Sequence, residues 1–204
     1  GIGVEAPQHF SGLWRVAERA VSGGGPDGFP RPRQIAQQQR ATAGGGFAAY
    51  DYVLWHPERL RSMVVAASGG AIVDEELSKL REKTALPGFR SWPPEFREVS
   101  MGYMATNPEG LKRWLEIHHH SQQKGAPAQP QRTTITFAKL ATIRVPTLLM
   151  PGDQDLQAPP WVMRRQLAHI PGAQFIVLPE AAHSINWEQP QAFNRNVLEF
   201  IRRH

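Results

Sequence analysis

Cysteine is absent from the 204-residue chain, which excludes disulfides, thiol nucleophiles and thiolate metal sites. Long apolar runs are absent too. None approaches the roughly 20 residues that span a bilayer, so no transmembrane helix and no membrane partner are expected. The first residues, GIGVEAPQHF, lack the basic start and apolar core of a signal peptide, and a cytoplasmic protein is expected. The chain begins at Gly1 rather than Met, which reads as processing, trimming or a fragment. Clustered charge is scarce as well. The net charge is +5 and the pI about 10.0, yet Lys and Arg are interleaved with acids, as in Glu75-Glu76-Leu77-Ser78-Lys79. Only the segment from Arg31 to Arg40 is basic without acids, and no nucleic-acid partner is expected from so short a patch.

What is present suits one globular domain, with 41% hydrophobic and 20% charged residues. It divides into three parts. Residues 1–46 are an atypical segment rich in Gly, Pro and Gln, with Gly23-Gly24-Gly25 and Gln37-Gln38-Gln39 in it. Ordering such residues costs backbone entropy with little apolar burial to offset it, so the segment reads as loop. The exception is a helix over Phe10–Val21, where Leu13, Val16, Ala17, Ala20 and Val21 share a face. Residues 47–70 carry a buried helix from Phe47 to His56, closed by Pro57, and a strand from Leu60 to Ala67. Residues 71–140 read as a helical cap: Ala71–Lys83, Pro94–Thr106 and Pro108–His120, followed by the polar loop SQQKGAPAQPQ. Residues 141–204 alternate again, with strands Val145–Met150 and Phe175–Leu178 and helices Pro159–His169 and Gln189–Arg203. Strand and helix in alternation predict an α/β fold with parallel strands.

Ligands of open parallel sheets bind at the carboxyl ends of the strands. Three stretches fall there: Ala41-Thr42-Ala43-Gly44-Gly45-Gly46 before the first helix, Pro151-Gly152-Asp153-Gln154-Asp155, and Glu180-Ala181-Ala182-His183. Residues from about 45 to 204 resemble the C-terminal part of an α/β-hydrolase. GGFAAYDYVLWHPERLRSMVV is similar to the helix after the nucleophile and the next strand. IRVPTLLMPGDQDLQAPP is similar to the strand and loop of the catalytic acid. IPGAQFIVLPEAAHSINWEQPQAFNRNVLEFI is similar to the last strand, the histidine loop and the last helix. The resemblance implies an α/β-hydrolase-like parallel sheet with a helical cap and a cofactor-independent hydrolase of the Ser-His-Asp type. Its substrate would be a small, apolar, ester-like molecule. By motif, His183 is the general base and Asp155 the acid that orients it, with Asp153 the rival acid.

The family's turn reads Gly-x-nucleophile-x-Gly. Here its positions hold Ala41, Ala43 and Gly45, and Gly-x-Ser-x-Gly occurs nowhere in the chain. Gly44, next after Ala43, would supply an oxyanion N–H. Three accounts are open. Ser68, in AASGG after a strand, is the nucleophile; or Ala43 is a true loss, natural or engineered, leaving a binding protein or an inactive enzyme; or the residues before about 44 are foreign to the family. On the last account the N-terminal strands are missing or replaced, through truncation, rearrangement or a shifted reading frame, and a second copy of the chain completes or covers the sheet. His118-His119-His120 is no metal site, because adjacent helical residues point about 100° apart. Trp92, Tyr103 and Trp114 either line a pocket under the cap or pack between its helices. No cofactor and no metal are expected.

Overall fold

The computed structural model describes residues 37–42, 44–121 and 131–204. The helix expected over Phe10–Val21, most of the polar loop after Ser121 and Ala43 itself lie outside them. Among the described residues the chain runs β1 (Gln37–Thr42), α1 (Gly45–Trp55), β2 (Leu60–Ala66), then helices α2 (Glu75–Thr84), α3 (Pro94–Glu98), α4 (Met101–Thr106), α5 (Pro108–Ser121) and α6 (Phe137–Leu140). It returns through β3 (Thr147–Met150), α7 (Pro160–Leu167), β4 (Gln174–Phe175), α8 (Ile185–Glu188) and α9 (Pro190–Arg203). The four strands form one sheet in the order β1-β2-β3-β4, every pair parallel.

The first strand corrects the sequence reading, which expected loop up to Gly46. Gln37–Thr42 lies beside β2, with Ala41 opposite Val65 and Thr42 opposite Ala66. A glutamine-rich stretch has neither apolar alternation nor a β-branched run, so local pattern gives no strand signal. Pairing with a neighbour about 24 residues further along the chain decides its conformation, as expected when strand preference depends on context.

The inner strands are buried on both faces, as the near-continuous apolar runs of parallel sheets require. Met63, Val65 and Leu149 pack on one side with Ala49, Tyr50 and Val53 of α1 and Val162 and Met163 of α7. Val64, Ala66, Leu148 and Met150 pack on the other with Ile185, Val197 and Phe200 of α8 and α9. Alternate side chains of one strand therefore hold helices on opposite faces. A buried polar thread crosses the first layer: Tyr50 donates its hydroxyl to Gln166 Oε1 (2.6 Å), and Gln166 Nε2 donates to the Ser68 carbonyl (2.8 Å).

Several helix limits shift for local reasons. α2 starts at Glu75 rather than Ala71 because Asp74 caps it, accepting from Leu77 N–H at 2.8 Å. The helix expected over Pro94–Thr106 is broken: Val99 is extended, and Ser100 caps α4 by accepting from Tyr103 N–H. The last strand is shorter than expected, yet its chain continues beside β3, with Ile176 N–H donating to Leu149 O and Leu178 N–H to Pro151 O. That continuation places the loop after β4 against the loop after β3.

Candidate active site

The loop after β3 folds around Gly152. A Cβ at this position would lie 2.2 Å from the Ala181 carbonyl oxygen and 2.4 Å from that of Ala182, so only glycine lets the two loops approach so closely. Main-chain bonds then join them: Asp153 N–H donates to Leu178 O (3.0 Å) and Gln154 N–H to Ala181 O (2.9 Å). The Asp153 side chain takes part as well, accepting from Ala181 N–H at 3.3 Å. Asp153 is thus occupied with the turn, and Asp155 is the carboxylate that meets the histidine.

Asp155 is buried, and its two oxygens have different partners. Oδ1 accepts from Gln157 N–H (2.8 Å) and Ala158 N–H (2.9 Å), which fixes the carboxylate at the start of the segment leading into α7. Oδ2 lies 2.8 Å from His183 Nδ1. An ionised carboxylate only accepts, so Nδ1 carries the hydrogen and the neutral ring keeps its lone pair on Nε2. The His183 side chain is 10% exposed and that of Asp155 is 0% exposed. Burial by itself lowers the pKa of His183. The hydrogen bond and charge of Asp155, with Glu98 and Glu188 at longer range, outweigh it and hold the imidazole above its ordinary value.

The residues on either side of His183 are anchored to helices that lie far away in the chain. Ala182 N–H donates to Glu188 Oε1 (3.0 Å), whose Oε2 accepts from Ser100 N–H (2.8 Å). Ser184 N–H donates to the Glu98 carbonyl (2.8 Å), and the Ser184 hydroxyl accepts from Trp114 Nε1–H (3.1 Å). Sequence reading names neither Glu188 nor the Trp114 bond to Ser184. One available signal was a lone acid between Trp187 and Gln189, on a short helix whose other end is the buried Ile185.

Gly44 is the N-cap residue of α1 and, having no side chain, leaves the first turn without a capping oxygen. Ala43 falls in the chain between the end of β1 and this helix, but lies outside the described residues. Ser68 is placed differently from a nucleophile. It is 3% exposed, its hydroxyl accepts from Gly70 N–H (3.2 Å), and it stands where a Cβ on Gly46 would come within 2.1 Å of its Oγ. Among the described residues, the hydrogen bond of the His183 ring goes to Asp155 and not to Ser68. In the histidine run, His118 stacks on Trp114 with ring centroids 4.9 Å apart, and His120 Nδ1 lies 2.6 Å from the Glu116 carbonyl oxygen.

An open cleft of about 820 Å³ runs beside Asp155, between the end of α2, the Gly88–Ser91 turn and the start of α7. Leu86, Phe89, Leu156 and Trp161 give it apolar walls, and Arg81, Arg90 and Arg97 add positive charge.

A family model described as "Alpha/beta hydrolase family" matches residues 10–196. The chain belongs to the α/β-hydrolase family. The match begins well before residue 45, where the recognisable motifs start. A 2-hydroxy-6-oxononadienedioate/2-hydroxy-6-oxononatrienedioate hydrolase of Cupriavidus pinatubonensis is 34% identical, the alignment covering 77% of this chain and 59% of the relative. This α/β-hydrolase chain therefore spans about three fifths of that relative's length. Two solved structures share the fold. The enol-lactonase of Burkholderia xenovorans has a TM-score of 0.61 and 22% identity, covering 80% of this chain and 64% of that one. A thermophilic esterase of Thermogutta terrifontis has a TM-score of 0.60 and 21% identity, covering 81% and 64%. No helix among the described residues is long and apolar enough to cross a membrane.

Proposed function

We propose that this chain carries the acid–base half of a hydrolase site for an ester, lactone or related carbonyl bond, and that its own turnover is low because Ala43 stands in the nucleophile's place. The single observation behind this reading is the 2.8 Å bond between His183 Nδ1 and Asp155 Oδ2, which leaves Nε2 as a base. With serine at position 43, His183 Nε2 takes the proton of the serine hydroxyl as its oxygen bonds to the carbonyl carbon, and the displaced electron pair moves onto the carbonyl oxygen. Gly44 N–H, at the uncapped start of α1, donates to that oxyanion. The tetrahedral centre collapses, the leaving group takes the proton from His183, and water repeats the sequence to free the acid. No step calls for a cofactor.

The relatives' names, which describe hydrolases of an oxo-dienedioate, an enol-lactonase and an esterase, support a small carbonyl compound as substrate. The cleft of about 820 Å³ beside Asp155 has room for the body of such a molecule, while His183 itself is not among the residues that line it. Its arginines favour a substrate with one anionic end on an otherwise apolar body. A second reading, a binding protein that uses the same cleft without turnover, is favoured by Ala43 alone.

Ala43→Ser separates the two. The hydrolase reading expects the substitution to raise ester or enol-lactone hydrolysis by at least about 10³-fold, and His183→Ala in the same background to abolish the gain. No gain, with the fold intact and the ligand still bound, leaves the binding reading.

A further inference from the structure

Glu188 is a buried carboxylate that the chemistry above does not use, and it sits beside the residue that the chemistry needs. Its two oxygens accept from two main-chain donors on separate parts of the molecule. One is Ala182 N–H, directly before His183; the other is Ser100 N–H, at the start of α4. A carboxylate accepts at both oxygens, whereas an amide has one oxygen and would turn an NH₂ donor towards one of the two N–H groups. Burial pushes the Glu188 carboxyl above the ordinary range, against the bonds from Ser100 and Ala182 that pull it down. A carboxyl raised in this way adds stability at acid pH and loses it as pH climbs through the raised value.

We infer that Glu188 is a positioning residue that links the helices α3–α5 to the His183 loop, so that the place of the imidazole follows the place of those helices. The linkage is reinforced on the other side of His183, where Ser184 is held by the Glu98 carbonyl and by Trp114. His183 is thus flanked by bonds to α3, to α5 and, through Glu188, to the N-cap residue of α4. A shift of these helices over a bound ligand is passed to the histidine through Ala182 and Ser184. The inference deepens the proposed hydrolase site and rests on His183 being its base.

A substitution at Ser100 removes one bond without removing a charge. Ser100 has φ −68° and Val99 has φ −122°, ψ 139°, so proline fits at 100 and loses only the N–H that Glu188 accepts, together with the hydroxyl. Ser100→Ala loses the hydroxyl alone and is the reference. Solvent exchange of the His183 Nδ1 hydrogen, followed by NMR in the full chain, is expected to quicken about tenfold in Ser100→Pro and in Glu188→Gln relative to Ser100→Ala. In the Ala43→Ser background the same two variants are expected to lose about tenfold in kcat with KM unchanged. Exchange in folded Glu188→Gln and Ser100→Pro equal to that of Ser100→Ala overturns the inference. The NMR readout needs no turnover, so failure of Ala43→Ser to gain activity leaves it standing as a separate result.

Discussion

Asp155→Asn tests the centre of the site because the two oxygens it alters have different duties. Asparagine keeps Oδ1 for Gln157 N–H and Ala158 N–H, and puts an NH₂ group where Oδ2 faces His183. The change removes one charge-assisted bond, which costs about 2 kcal/mol of stability. Asp155→Ala removes that bond and also leaves the buried Ala158 N–H without an acceptor, adding about 1–3 kcal/mol. Denaturant unfolding of both variants is expected to give a loss near 2 kcal/mol for Asn and near 4 kcal/mol for Ala. The pH dependence has a definite sign. Asp155 raises the histidine pKa, so the stability it gives through His183 is full below the ordinary histidine value and fades as pH rises through the higher folded one. The Asn penalty is therefore larger at pH 6 than at pH 9. In the Ala43→Ser background the new amide donates to Nδ1, the ring hydrogen moves to Nε2, and the base is lost. A fall of roughly 10⁴-fold in kcat is expected, equivalent to about 5 kcal/mol of transition-state stabilisation. Equal stability losses for Asn and Ala, independent of pH, would refute the division of labour between the two oxygens.

Two further outcomes follow from the same geometry. Gly152→Ala forces a Cβ against the carbonyl oxygens of Ala181 and Ala182 and is expected to cost about 2–4 kcal/mol in thermal or urea unfolding; a loss under 1 kcal/mol means that the loops can part. Ala43→Ser activity is expected to rise with pH through a single ionisation above the ordinary histidine value, because the base form of His183 appears only above its raised pKa; a midpoint below that ordinary value contradicts the Asp155 pairing.

The parts of the fold legible in the sequence were those whose environment is written locally. β2 and β3 are buried on both faces and show it as apolar runs, and α9 shows its apolar face in Val197 and Phe200. Strand ends marked the stretches that hold Asp155 and His183, and the two residues themselves were legible through the resemblance of those stretches to the acid and histidine loops of the family. β1 was not legible, since Gln37–Thr42 becomes a strand through the main chain of β2 rather than through its own residue pattern. The duties of Glu188 and Trp114 were hidden for a related reason: their partners Ser100 and Ser184 lie 88 and 70 residues away, and no spacing rule reaches so far. The break at Val99–Ser100 was hidden as well, since Pro94–Thr106 reads as one helix and the Ser100 N–H is taken by a carboxylate 88 residues away.

Gly152 has a consequence for the history of such a chain. The close approach it permits sews the acid and base loops together through main-chain atoms of residues 151–182, none of them near position 43 in sequence. The loops of Asp155 and His183 are thus joined by backbone distant from residue 43 in the chain, and a change at that position leaves the junction standing. A lineage that replaced its attacking residue would keep a dormant but aligned base, one side chain from use, whereas one that replaced Gly152 would have to rebuild two loops at once.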